Sequence, residues 1–143
     1  MANIRSFDFC NRNTIPPYIP TTISSYLAIS HFIAPYVSVY PWSAAGFGIK
    51  YGNPATPLPN TGRGVTFTNP ADAIVIGHDT SPYITAYRWS VAGFGTKYTD
   101  VAVPPAAVNG VEKIGFNHAN NVIVSCFQNF GTPPCIYAHN WNT

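Results

Sequence analysis

Charge is what this sequence has least of. Seven Lys and Arg and five Asp and Glu make up 8% of its 143 residues, against about 25% in an average soluble protein. Five acids leave few partners for acid–base or metal chemistry. The seven cations are scattered, with no basic run of the kind a nucleic-acid footprint requires. Cysteine is scarce and odd in number, which argues against a disulfide framework. Cys126 and Cys135 bracket one predicted hairpin and could join across it; the alternative is two small buried thiols in a reducing compartment. Long apolar runs are missing. Nothing approaches the ~20 residues that cross a bilayer as a helix. The opening MANIRSFDFCNRN has neither the apolar region nor the cleavage site of a secretory signal. The sequence therefore predicts cytosolic synthesis and no membrane partner. No N-x-[ST] glycan acceptor occurs, and no segment shows helical spacing with caps.

What is present is proline, glycine and aromatic residues: 14 Pro, 11 Gly and 15% Phe, Trp and Tyr. Disordered chains have few aromatics and much charge, so this is the composition of an all-β domain with a core. The organising feature is a repeat. Leu27 to Tyr51, LAISHFIAPYVSVYPWSAAGFGIKY, recurs at an offset of 47 as Ile74 to Tyr98, IVIGHDTSPYITAYRWSVAGFGTKY. The identities cluster: His31/His78, Pro35-Tyr36/Pro82-Tyr83, Tyr40/Tyr87, Trp42-Ser43/Trp89-Ser90, Ala45 to Gly48/Ala92 to Gly95 and Lys50-Tyr51/Lys97-Tyr98. A divergent third copy, Val122 to Trp141, keeps the apolar triplet, the proline, the aromatic strand and the final Trp. A fixed period of this length is the signature of a repeat architecture.

Each unit divides into short strands. Leu27-Ala28-Ile29, Ile74-Val75-Ile76 and Val122-Ile123-Val124 are continuous apolar runs, which read as strands buried on both faces. The aromatic strands alternate. Tyr83, Thr85, Tyr87 and Trp89 share one face and Ile84, Ala86 and Arg88 the other. Tyr36, Ser38, Tyr40 and Trp42 do the same in the first copy, and Cys135, Tyr137, His139 and Trp141 in the third. A Ser-x-Ala-Gly turn and a Phe-Gly-x-Lys-Tyr strand follow. Val65-Thr66-Phe67, Ile114-Gly115-Phe116 and Phe7-Asp8-Phe9 precede the apolar strands. The expected total is eleven strands, four antiparallel strands per unit of about 47 residues and three in the last, the content of a β-propeller blade. The units run about 27–64, 65–110 and 111–143. Residues 1–26 hold the first short strand and a Pro-rich extended arm with Pro16, Pro17, Tyr18 and Pro20; it either lies on a neighbour or forms a long surface loop.

The motif His-x-x-Ser-Pro-Tyr-Ile-x-x-Tyr-x-Trp-Ser-x-x-Gly-Phe-Gly-x-Lys-Tyr at His78 to Tyr98 resembles the WD40-like tandem repeats encoded in bacteriophage genomes. The likeness covers about 27–141. It departs from ordinary WD40 repeats in having no Gly-His…Trp-Asp pair at the usual places. The resemblance implies a propeller-like fold and a viral-particle or host-interaction setting. Propellers close with about 4–8 blades, whereas this chain supplies three, the last one incomplete. A three-blade wedge leaves apolar faces and strand edges open. The expectation is that a neighbouring subunit completes it, with two chains giving six blades; the competing reading is a cap by another protein surface such as a capsid shell.

The chemistry-bearing residues read mostly as structure. His31 and His78 could begin a ring of imidazoles about an axis, or each could be a structural His beside a turn. The third copy has Cys126 or Phe127 there. His78-Asp79 could be a base and its orienter, but no nucleophile is tied to it. Gly93 to Lys97 lacks phosphate-loop spacing and no helix follows. Tyr36, Tyr40, Trp42, Tyr83, Tyr87, Trp89 and Trp141 read as packing between blades or at an interface; the alternative is sugar stacking, which loss of glycan binding on Trp89→Ala would mark. The expectation is a protein without catalytic, metal or cofactor residues. The expected role, its phage setting implied by the resemblance, is that of a structural or accessory protein of a phage virion, decorating or cementing the head, with itself and virion proteins such as the major capsid protein as partners. A lectin-like propeller binding host glycan, or a tail accessory protein for host attachment, is the alternative.

Overall fold

The computed structural model describes residues 25–101, 110–117, 119, 121–127 and 136–141. They form ten strands and, among the described residues, no helix. The strands are β1 (Ser25–Ser30), β2 (Val37–Ser43), β3 (Gly46–Phe47), β4 (Gly62–Phe67), β5 (Ala73–His78), β6 (Ile84–Ser90), β7 (Gly93–Lys97), β8 (Val111–Phe116), β9 (Val122–Phe127) and β10 (Ile136–Asn140). They make three antiparallel sheets, β1-β2-β3, β4-β5-β6-β7 and β10-β9-β8. The eleventh expected strand, Phe7-Asp8-Phe9, lies outside the described residues, as do Pro16, Pro17, Tyr18 and Pro20 of the arm.

The repeat is legible in hydrogen bonds as well as in sequence. Ser43 and Ser90 accept from the amides of Ala45 and Ala92, at 3.2 and 3.1 Å. Gly46 and Gly93 then take φ of 96° and 102°, a conformation closed to most L-residues. This is why Trp-Ser-x-Ala-Gly recurs whole. Thr68 Oγ1 accepts from the amides of Asp72 and Ala73. Asn117 Oδ1 plays the same part for Asn121 and Val122, closing the β8–β9 turn as Thr68 closes β4–β5. The third copy is thereby placed in register. Phe116 pairs with Ile123 as Phe67 pairs with Ile74. The apolar triplet therefore slides by one, and Ile123, not Val122, is the equivalent of Ile74. β4 and β8 carry a bulge at the same point, Gly62/Gly64 and Val111/Lys113.

Two details differ from the sequence expectation. Tyr36 and Tyr83 precede their strands rather than belonging to them, at φ of 70° and 69° after the cis prolines Pro35 and Pro82. The fourth strand of the first unit also shrinks to Gly46–Phe47. Pro41 stands where β6 has Arg88, without an N–H to donate, and its ring sits 3.0 Å from where a Cβ on Gly48 would lie.

The sheets stack face to face. Val37 and Val39 of β2 share one core with Ile74, Ile76, Tyr87 and Trp89 of β5 and β6. Val75, Ile84 and Ala86, on the opposite face of the same two strands, share a second core with Val111, Ile123 and Phe127. The middle sheet is thus covered on both sides, and all six residues of β5 are buried. Among the described residues the outer sheets are covered on one side only, and β1 alternates between exposed and half-buried residues. Two-sided burial, expected for all three apolar runs, holds for one. The first strands of the second and third sheets approach backbone to backbone: a Cβ on Gly64 of β4 would lie 3.1 Å from the Ile114 amide and 3.2 Å from the Glu112 carbonyl of β8. Close approach along one edge gives the sheets a blade-like arrangement.

Candidate functional site

The densest charged cluster grows out of the β4 bulge. Arg63 sits between Gly62 and Gly64, and Asp79 follows β5 directly. Arg63 Nε donates to Asp79 Oδ1 at 2.9 Å and Nη2 donates to Oδ2 at 3.0 Å, a two-pronged contact. Its Nη1 lies 3.5 Å from Glu112 Oε1. The guanidinium carbon stands 5.1 Å from the Phe32 ring centre. Glu112 holds the bulge position in the third sheet that Arg63 holds in the second. Phe32 comes from the β1–β2 loop. One cation therefore touches residues from all three sheets. The hydrogen bond to Asp79 raises the Arg63 pKa further, so the cation is permanent. Sequence reading missed this cluster because its members are far apart in the chain and no motif joins them.

The cluster also settles where Asp79 points. Its carboxylate holds Arg63, and His78 turns the other way: His78 Nε2 lies 2.9 Å from Thr85 Oγ1 on the neighbouring strand. His31 Nε2 lies 3.0 Å from Ser38 Oγ, the repeat-equivalent contact. The third member of an imidazole ring would be Phe127, which pairs with Val111 as His78 pairs with Gly62. His78 is fully buried, and burial pulls its pKa down to about 4, a backbone interaction at Thr80 opposing the shift. Nδ1 has no hydrogen-bond partner of full geometry. A neutral His tied to a hydroxyl is a strand-to-strand link. His118 lies outside the described residues, and His139 on β10 has a pKa lowered by burial. Among the described residues no three His, Cys, Asp or Glu side chains cluster as metal ligands would.

Gly93 to Lys97 is β7, a strand, and Lys97 pairs with Asp100 at 2.7 Å. A shallow cleft of about 540 Å³ lies against it, lined by Ala55, Thr56, Phe94, Gly95, Thr96 and Lys97. Cys126 is half-buried with a free thiol; Cys135 and Cys10 lie outside the described residues.

The aromatic residues divide into two environments. Trp89 is enclosed edge-to-face by Tyr51 at 5.0 Å, Phe94 at 5.1 Å, Phe67 at 5.3 Å and Tyr26 at 5.4 Å between ring centres. Trp141 repeats the pattern with Tyr98 at 4.9 Å and Phe116 at 5.7 Å. In both cases the Tyr comes from the preceding unit and the Phe from the Trp's own first strand. Tyr87 is buried, donates to the Thr56 carbonyl at 2.8 Å, and has its pKa pushed up to about 12 by burial. Tyr36 and Tyr83 pack at the margins of the two cores. Tyr40 and Trp42 are on the open face of the first sheet, where Trp42 is 44% exposed and meets Phe47 at 5.1 Å. Sequence alone could not separate these two groups, since the repeat writes both alike.

No protein-family model matches the chain, and no curated protein matches it. No helix among the described residues is long and apolar enough to cross a membrane.

Proposed function

We propose that this chain is a non-enzymatic assembly protein of a phage particle, made in the host cytoplasm and built into the virion as a head decoration or cement protein. The observation that carries this reading is the pair of open apolar faces at the two ends of the sheet stack. Leu27, Ile29, Trp42 and Phe47 are exposed at one end, Val124 and Ile136 at the other. Contiguous exposed apolar surface marks a contact surface for a partner. The charged cluster supports it from the other side: its one cation is matched by two carboxylates, and the buried His is tied to a hydroxyl, which suits a scaffold rather than acid–base work. The phage setting rests on the sequence resemblance. The test is immunogold labelling of purified virions of the encoding phage, with antiserum raised against the full chain. Label on the head supports a decoration or cement role, label on the tail moves the protein to a tail accessory role, and unlabelled particles overturn the virion reading.

A second reading has its own observation. Tyr40, Trp42 and Phe47 put three aromatic rings together on an open sheet face, and aromatic faces stack on sugars. Glycan binding lost on Trp42→Ala, with folding kept, would support a lectin-like module for host attachment. The buried Trp89 is the wrong residue for that experiment.

A further inference from the structure

We propose that the open face of β1-β2-β3 in one copy of the chain receives the open face of β9-β10 in a second copy, head to tail, in the register already used twice inside the subunit. This deepens the assembly reading above and rests on it. The internal interfaces define which face covers which. Between the first two sheets, Val37 and Val39 lie over Ile74, Ile76, Tyr87 and Trp89. The repeat carries each of these positions to the two ends. The receiving residues Ile74, Ile76 and Trp89 are 0%, 0% and 4% exposed, while their equivalents in the first sheet, Leu27, Ile29 and Trp42, are 37%, 41% and 44% exposed. The covering face behaves the same way. Val75 and Ile84 are 0% and 3% exposed in the middle sheet, and their equivalents in the third, Val124 and Ile136, are 39% and 64% exposed.

The two ends are therefore not merely apolar. Each is a copy of one half of an interface that exists in the molecule, and they are opposite halves. β1 adds a second sign. Its Leu-Ala-Ile run has the two-sided apolar character of a strand enclosed by two neighbours, yet among the described residues only one neighbour is present. Neither face carries a charged residue among the positions named, so no like-charge contact opposes the pairing. A contact between different faces closes into a ring or runs on as a filament, depending on its rotation. Here β4 of the second sheet and β8 of the third approach backbone to backbone, and in the proposed ring the stack bends toward that edge. Two copies give six sheets, within the about 4–8 blades of closed propellers, and cover all four end faces.

The experiment is the solution mass of the full chain with two single variants, Trp42→Arg and Ile136→Arg. Both positions are exposed in the subunit, so each variant keeps its β spectrum, which circular dichroism checks. The wild type is expected at the mass of two copies. Each variant alone is expected at the mass of one. An equimolar mixture of the two is expected to regain a two-copy species at higher protein concentration, because one of the two contacts is then intact. A single-copy wild type overturns the pairing and hands the faces to another occupant, such as residues 1–24 or a different protein; a larger assembly overturns the two-copy ring. Either variant alone keeping the two-copy mass overturns the head-to-tail pairing, since a contact between like faces needs only one of them. A single-copy protein that still labels particles overturns this pairing alone. A two-copy protein absent from particles overturns the virion reading alone.

Discussion

Trp42 and Trp89 occupy the same place in successive sheets, and only one of them is covered. Trp89 is 4% exposed under the β2 face and ringed by four aromatic side chains; Trp42 is 44% exposed and keeps Phe47 beside it. The same residue thus has two physical roles set by whether a neighbouring sheet lies over it. Removing the Trp89 side chain opens a cavity at the first core, at a cost of about 3–5 kcal/mol. Trp42→Ala should shift stability by less than about 1 kcal/mol in the separated subunit, as exposed substitutions do. Denaturant midpoints of the two variants, read below the concentration of any self-association, check this. Equal losses would mean that the outer face is covered within the subunit.

His78 makes stability depend on pH in a defined window. Its pKa is about 4 in the folded chain and 6.5 when unfolded. Between those values the unfolded chain binds a proton that the folded chain refuses, so stability falls as pH drops from 6.5 toward 4. The slope contributed is up to about 1.4 kcal/mol per pH unit. Above 6.5 the group adds no further dependence. His139 acts in the same direction. The difference between wild type and His78→Phe, the residue type found at the equivalent Phe127, isolates His78. The variant should show a flatter pH profile across this window even if its absolute stability falls. Identical slopes would show that His78 is not buried as a neutral ring.

Much of the fold was legible because its determinants are local. Period-2 alternation marked β2, β6 and β10. The Ser-x-Ala-Gly signature marked turns whose backbones need glycine, Gly46 and Gly93 being at positive φ. What sequence could not show was long-range. Nothing local distinguishes Leu27-Ala28-Ile29, covered on one face, from Ile74-Val75-Ile76, covered on both. The Arg63 cluster joins residues from three sheets, and its existence depends on the stacking. The one-residue slide of the third copy is fixed by the Asn117 turn, whose side chain replaces that of Thr68 without resembling it in sequence.

Gly77 is a position where the stacking itself can be tested. A Cβ there would lie 2.5 Å from Val111 Cγ1 and 2.8 Å from Val111 Cβ, against a side chain that is itself fully buried. Gly77→Ala should therefore cost about 1–3 kcal/mol by overpacking the second core. Val111→Ala removes the opposing methyls, so the double variant should be more stable than the sum of the two single losses predicts. A denaturant double-mutant cycle measures that coupling. Additive losses would place Gly77 and Val111 apart and contradict the packing of the third sheet on the second.

The Arg63 fork should resist replacement by another cation. Lysine keeps the charge but offers a point donor in place of two parallel N–H groups aimed at Asp79. The partners are only partly buried, at 29% and 25% exposed, so the loss on Arg63→Lys should be about 1–2 kcal/mol rather than the full value of a buried charge-assisted pair. The Coulomb part is screened as salt rises from about 0.05 to about 0.5 M, which should narrow the gap between wild type and variant without closing it, because the fork geometry is not a matter of charge. Since Arg63 touches Phe32, Asp79 and Glu112 from three sheets, the loss should appear in a single unfolding transition of the whole stack. A variant in which one sheet melts ahead of the others would show instead that the cluster ties only part of the molecule together.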